Sequence, residues 1–79
     1  MSKQQIETVL RESLDEYFKD LDGTAPHDLH AMMLACFERP LLAYVMDKAG
    51  SNQSKAAQWL GLNRNTLRKK LLDLGLSND

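Results

Sequence analysis

The sequence predicts an all-α fold with four helices per chain, and three stretches of its 79 residues carry that reading. Asn52 to Leu76, NQSKAAQWLGLNRNTLRKKLLDLGL, holds two short helical patterns that meet at a glycine-containing turn. Gln4 to Leu21 sets its apolar residues on one helical stripe, and Ala31 to Met46 is apolar around almost its full circumference. The first two helices are expected to form an intertwined dimeric four-helix core with a second copy, and the last two a C-terminal helix-turn-helix. The matching division is residues 1–49 for dimerisation and 50–79 for the helix-turn-helix unit, within one compact domain.

In the first helix Ile6, Val9, Leu10, Leu14, Tyr17, Phe18 and Leu21 share a stripe, with Glu7, Arg11, Glu12, Asp15, Glu16 and Lys19 mostly off it. Asp22 to Pro26 carries turn signals, and Pro26 suits the first turn of the next helix. Between Ala31 and Met46 only Glu38 and Arg39 are charged, so the second helix must be buried on several sides. Domains below about 70 to 80 residues rarely bury enough apolar surface alone. A second copy is expected to supply the missing wall. Glu38, Arg39 and Pro40 also interrupt the apolar run short of the roughly 18 residues that a membrane span needs, so no membrane partner is expected. Pro40 removes one backbone donor and is expected to kink the helix.

Asn52 is a good N-cap, and Ala56, Ala57 and Leu60 then recur at helical spacing until Gly61. Asn63 caps a fourth helix whose Leu67, Leu71 and Leu74 fall at i, i+4 and i+7, with Gly75 placed to end it. Its other face is Arg64, Asn65, Arg68 and Lys69. A major groove about 12 Å wide admits one helix braced by a partner, and small residues such as Ala56 and Ala57 allow the close crossing that bracing requires. Arg64 falls in the first turn, where side chains of a recognition helix meet base edges. Its guanidinium fork matches guanine O6 and N7, and Asn63 adds polar contacts beside it. Lys69 and Lys70 are placed for phosphates. The partner implied is double-stranded DNA.

Charge segregation supports this. Residues 50–79 carry five basic against two acidic side chains, a balance of +3, whereas residues 1–49 carry five against nine, or −4. A net charge of −1 thus conceals a basic end joined to an acidic one. His27, His30 and Cys36 lack a fourth ligand at metal-site spacing, so no metal is expected. Cys36 reads as a small buried hydrophobe, His27 as a solvent-facing residue at a helix start, and Trp59 as packing against the dimer helices. One thiol and no secretory signal point to a reducing cytosol. With no phosphate loop, paired-carboxylate pocket or partnered nucleophile, the sequence predicts neither an enzyme nor a cofactor or small-molecule ligand.

Through GSNQSKAAQWLGLNRNTLRKKLLDLGL, and upstream YFKDLDG and ERPLLAYVM, nearly the whole chain resembles the Fis family (factor for inversion stimulation) of nucleoid-associated proteins. NQSKAA and NRNTLRKKL are shared with the C-terminal DNA-binding domains of nitrogen-regulatory enhancer-binding activators, but the upstream pieces favour Fis. Such activators also carry an ATPase domain, and these residues hold no P-loop. The resemblance implies a symmetric dimer whose recognition helices enter adjacent major grooves while the DNA between them bends. It assigns base contact to Arg64 with Asn63, phosphate contact to Asn52, Ser54, Thr66 and Lys69, and flanking DNA to Arg68 and Lys70. Leu72 and Asp73 stand where better-known relatives are more basic, which weakens the expected flanking contacts. The N-terminal arm that serves DNA inversion in some relatives is not expected here, nor is that activity. Contact with RNA polymerase is implied by resemblance alone, through the loop before Asn52. The function expected is a sequence-tolerant transcriptional regulator and architectural protein of the nucleoid. The competing readings are a helical interaction module using its acidic half, and a detached activator domain.

Overall fold

The computed structural model describes residues 1–77; Asn78 and Asp79, the second counted above among the acidic residues, lie outside the described residues. Four helices follow one another: α1 (Lys3–Leu21), α2 (Leu29–Lys48), α3 (Gln53–Leu60) and α4 (Arg64–Asp73). No strand occurs among the described residues. The all-α expectation holds, with the last two helices in helix-turn-helix order.

Most helix ends have a local cause. A capping box starts α1: the Ser2 hydroxyl accepts from the Gln5 backbone N–H at 3.2 Å, and Gln5 Oε1 accepts from the Ser2 N–H at 2.9 Å. Helix α2 starts later than its sequence suggests. Asp28 precedes it in the left-handed conformation (φ 51°) and makes no side-chain cap. Pro26 therefore lies ahead of the helix, not in its first turn, and His27 in the intervening bend is solvent-facing, 3.1 Å from the Asp28 carboxylate. At its far end α2 closes through the Ser51 N–H, which donates to the Met46 carbonyl at 2.9 Å. Helix α3 ends on Gly61 at φ 73°, where the Leu62 N–H reaches the Ala57 carbonyl at 2.9 Å. A Cβ on Gly61 would meet nothing within 4 Å, so the left-handed backbone, not crowding, favours glycine there.

The core lies in the C-terminal half. Leu42 of α2, Ala49 just beyond it, Ala56 and Ala57 of α3, and Leu67 and Leu71 of α4 are buried together, flanked by Val45, Met46, Leu60, Leu62, Leu74 and Leu76. The two alanines let α3 cross α4 closely, as their small volume predicts. Helix α1 contributes no buried residue. Leu10, Ser13 and Tyr17 of α1 instead line an apolar groove with Met32, Met33, Cys36, Phe37 and Pro40 of α2. Cys36 is exposed in this chain, contrary to the expectation of burial, because it faces that open groove. Trp59 is 54% exposed in the single chain, with the Lys55 ammonium 5.4 Å from its ring centroid.

Glu38 and Arg39 tie α2 to α4. Glu38 pairs with Lys70 at 3.0 Å, and Arg39 Nη1 donates to the Leu74 carbonyl at the end of α4. Pro40 follows them inside a helix that runs unbroken from Leu29 to Lys48. By length and composition α2 could cross a membrane, with a mean hydropathy of 1.2. Its central charges are bonded to α4, however, and Leu42 belongs to the shared core.

The chain measures 44 × 28 × 17 Å with a radius of gyration of 15.2 Å. A closed globule of this length would have about 12 Å. The excess follows from α1 and the outer half of α2, which project from the core with several apolar residues uncovered. Val9, Phe18, Leu34, Phe37 and Tyr44 are 48 to 64% exposed.

Candidate nucleic-acid interface

Burial of Leu67 and Leu71 on one side of α4 decides which side chains face outward. At about 100° per residue, the outward arc starts at Arg64, which borders Leu71 in the first turn, and runs in angular order through Arg68, Leu72 and Asn65 to Lys69, opposite the buried pair. All five are exposed. Arg64, Arg68 and Lys69 make no intramolecular ion pair among the described residues; the pairs found there are Asp15–Lys19, His27–Asp28 and Glu38–Lys70. Three unneutralised cations on one helical face produce a positive potential suited to a polyanion.

Asn63 caps α4, its Oδ1 accepting the Asn65 backbone N–H at 2.8 Å. The carbonyl end of Asn63 is thereby aimed back at its own helix, which leaves the amide NH2 as the outward donor. Arg64 follows as the first residue of α4. Asn52 repeats the arrangement on α3, with Oδ1 accepting the Lys55 N–H at 3.0 Å. Ser54 is exposed in the first turn of α3. A helix N-terminus with free N–H groups and a positive dipole end favours a phosphate, so Asn52 and Ser54 occupy fitting ground. Thr66 is exposed on the flank of α4, about 200° around from Arg64.

Of the eight side chains proposed from the sequence, Lys70 is placed differently from expectation. It borders the buried face and is held by Glu38, both side chains being 35% exposed. Arg68 carries no ion pair among the described residues, whereas Lys70 would have to exchange Glu38 for a phosphate to reach flanking DNA, and Leu72 and Asp73 add no positive charge. Asn65, which the sequence reading placed on the outer face without a role, lies near the middle of the exposed arc. A helical wheel anchored on Leu67 and Leu71 would have singled it out. No group of three or more potential metal ligands occurs among the described residues.

A capped two-helix unit presenting a cationic outer arc defines a helix-turn-helix protein of the nucleic-acid-binding class. The family model for bacterial regulatory proteins of the Fis family matches residues 34–74. A Fis-like DNA-binding protein of Ralstonia nicotianae is 55% identical over 76 residues, covering 96% of this chain and 99% of the relative. Its counterpart in Neisseria meningitidis is 55% identical over 71 residues, 90% of each chain. The DNA-binding protein Fis of Proteus mirabilis is 39% identical over 77 residues, spanning 98% of this chain and 79% of that one. The chain belongs to the Fis family.

Proposed function

We propose that this chain acts as a homodimer that binds and bends double-stranded DNA, regulating transcription and shaping the nucleoid in the bacterial cytoplasm. The observation that carries the proposal is the outward arc of α4, where Arg64, Arg68 and Lys69 stand exposed and, among the described residues, without an ion-pair partner beside a capped helix start. In this reading Arg64 reads guanine and Asn63 donates from its amide NH2. Asn52, Ser54, Thr66 and Lys69 hold phosphates, and Arg68 reaches flanking DNA, joined by Lys70 once it exchanges Glu38 for a phosphate.

Dimerisation is supported by the uncovered strip of α2. Leu34, Phe37, Leu41 and Tyr44, all exposed, follow one another at spacings of three, four and three residues, the spacing of a helix-packing seam. Leu34, Phe37 and Leu41 of the strip also line a groove with Lys70 and Leu74, so a partner there would lie along that edge of α4, on the far side from Asn65. Residues 1–49 would supply the dimer core and residues 50–79 the reading unit. Two copies of α4 in adjacent major grooves draw the duplex between them towards the protein, which makes deformability of that segment part of selectivity. The Ralstonia relative matches over 99% of its own length, which favours the Fis-like reading over a detached activator domain.

The test is a titration on two short duplexes, one with guanines flanking an A/T-rich centre and one scrambled, across a range of salt. Log K against log salt should fall with a slope of roughly −5 to −9 for six to ten phosphate contacts per dimer. A flat response would sink the phosphate assignments. Arg64→Ala should cost about 1 to 3 kcal/mol on the guanine duplex and little on the scrambled one. Equal weakening on both would make Arg64 a phosphate ligand. Lys69→Ala should weaken both duplexes alike and flatten the salt slope; sequence-selective loss would move Lys69 to the bases. A folded dimer that binds neither duplex would turn attention to the acidic half as a protein-binding surface.

A further inference from the structure

We infer that Asn65 is a second base-reading residue, specific for an adenine next to the guanine read by Arg64; the inference rests on the DNA-binding mode proposed above. Base contacts made by a recognition helix come from its N-terminal turn, and Asn65 is the second residue of α4. Its side chain is exposed, close to the centre of the arc between Arg64 and Lys69. Its backbone N–H is already satisfied by the Asn63 cap at 2.8 Å, and no hydrogen bond fixes its carboxamide among the described residues. Both ends of that carboxamide are consequently free, one accepting and one donating.

Adenine presents an N7 acceptor beside an N6 amino donor in the major groove, and a free asparagine amide matches the two at once. Asn63 cannot do the same, because its Oδ1 is turned to the Asn65 N–H. The two asparagines thus divide the work: Asn63 starts the helix and orients it, and Asn65 reads. The chemistry selects a guanine–adenine neighbour pair over guanine followed by another base.

The test measures affinities for duplexes that keep the guanine and vary the adjacent base, using the full chain, Asn65→Ala, Asn65→Asp and Arg64→Ala. The parent protein should favour adenine by on the order of 10-fold. Asn65→Ala should abolish that preference while retaining guanine preference, random-sequence affinity and melting temperature, since the side chain makes no hydrogen bond among the described residues. Asn65→Asp, an acceptor only, should move the preference towards cytosine, whose N4 amino group donates. Adenine preference that survives Asn65→Ala, or an equal loss on all duplexes, overturns the inference alone. Guanine preference that survives Arg64→Ala overturns the underlying placement of α4, and this inference with it.

Discussion

Leu67→Ala should destabilise the folded protein by about 2 to 5 kcal/mol and lower its melting temperature by roughly 10 °C or more. Leu67 is fully buried and packs in one cluster with Ala56, Ala57, Leu42 and Leu71. Those neighbours come from three helices, two of them alanines with no reach to fill a void. Loss of three carbons there leaves a cavity that cannot readily collapse, so the penalty falls in the upper part of the range for such truncations. DNA binding should fail in parallel with folding, unlike Arg64→Ala, which should spare the melt. A thermal transition unchanged by Leu67→Ala would mean that α4 presents a different face to the core.

If the chain dimerises through the α2 strip as proposed, Leu34→Asp should convert the dimer to monomers, weakening association by about 3 to 5 kcal/mol or more, because an unpaired carboxylate would enter the interface from each copy. Leu34 is 56% exposed in the single chain, so a charge at this position is harmless to a monomer. This makes the substitution decisive: only a partner seated on the strip can turn a solvated aspartate into a buried one. Sedimentation of the variant at micromolar concentration should show a single-chain mass, with DNA affinity reduced far beyond the effect of Arg64→Ala. An unchanged dimer mass would place the interface elsewhere on α1 or α2.

Periodicity and caps made the C-terminal half legible in the sequence. Asn52, Gly61 and Asn63 announce helix ends through side-chain and backbone preferences that act within a few residues, and each stands at the end it was assigned. Ala56, Ala57, Leu67 and Leu71 were readable as core because both helices bury one face only. The start of α2 was less legible: Asp28 offers no side-chain cap, and Pro26 is as compatible with a turn as with a first helical turn. Cys36 misled because residue type reports a preference for burial, not which neighbours exist in one chain. Glu38 and Arg39 read as interruptions of an apolar run. Their partners, Lys70 and the Leu74 carbonyl, are more than thirty residues away, beyond anything helical spacing can encode. The same long-range pairing takes Lys70 from the surface that its own helix pattern suggested.

The bonds from Glu38 and Arg39 to α4 also govern what kind of measuring device a dimer of this chain would be. With each reading helix bolted to the long helix that meets the partner, the two would act as the jaws of a caliper, not as hands on tethers. A caliper does not adjust to its workpiece. Base pairs between the half-sites, which no side chain need touch, would have to twist and compress to fit a fixed gauge, and their stiffness would become part of the address that the protein recognises.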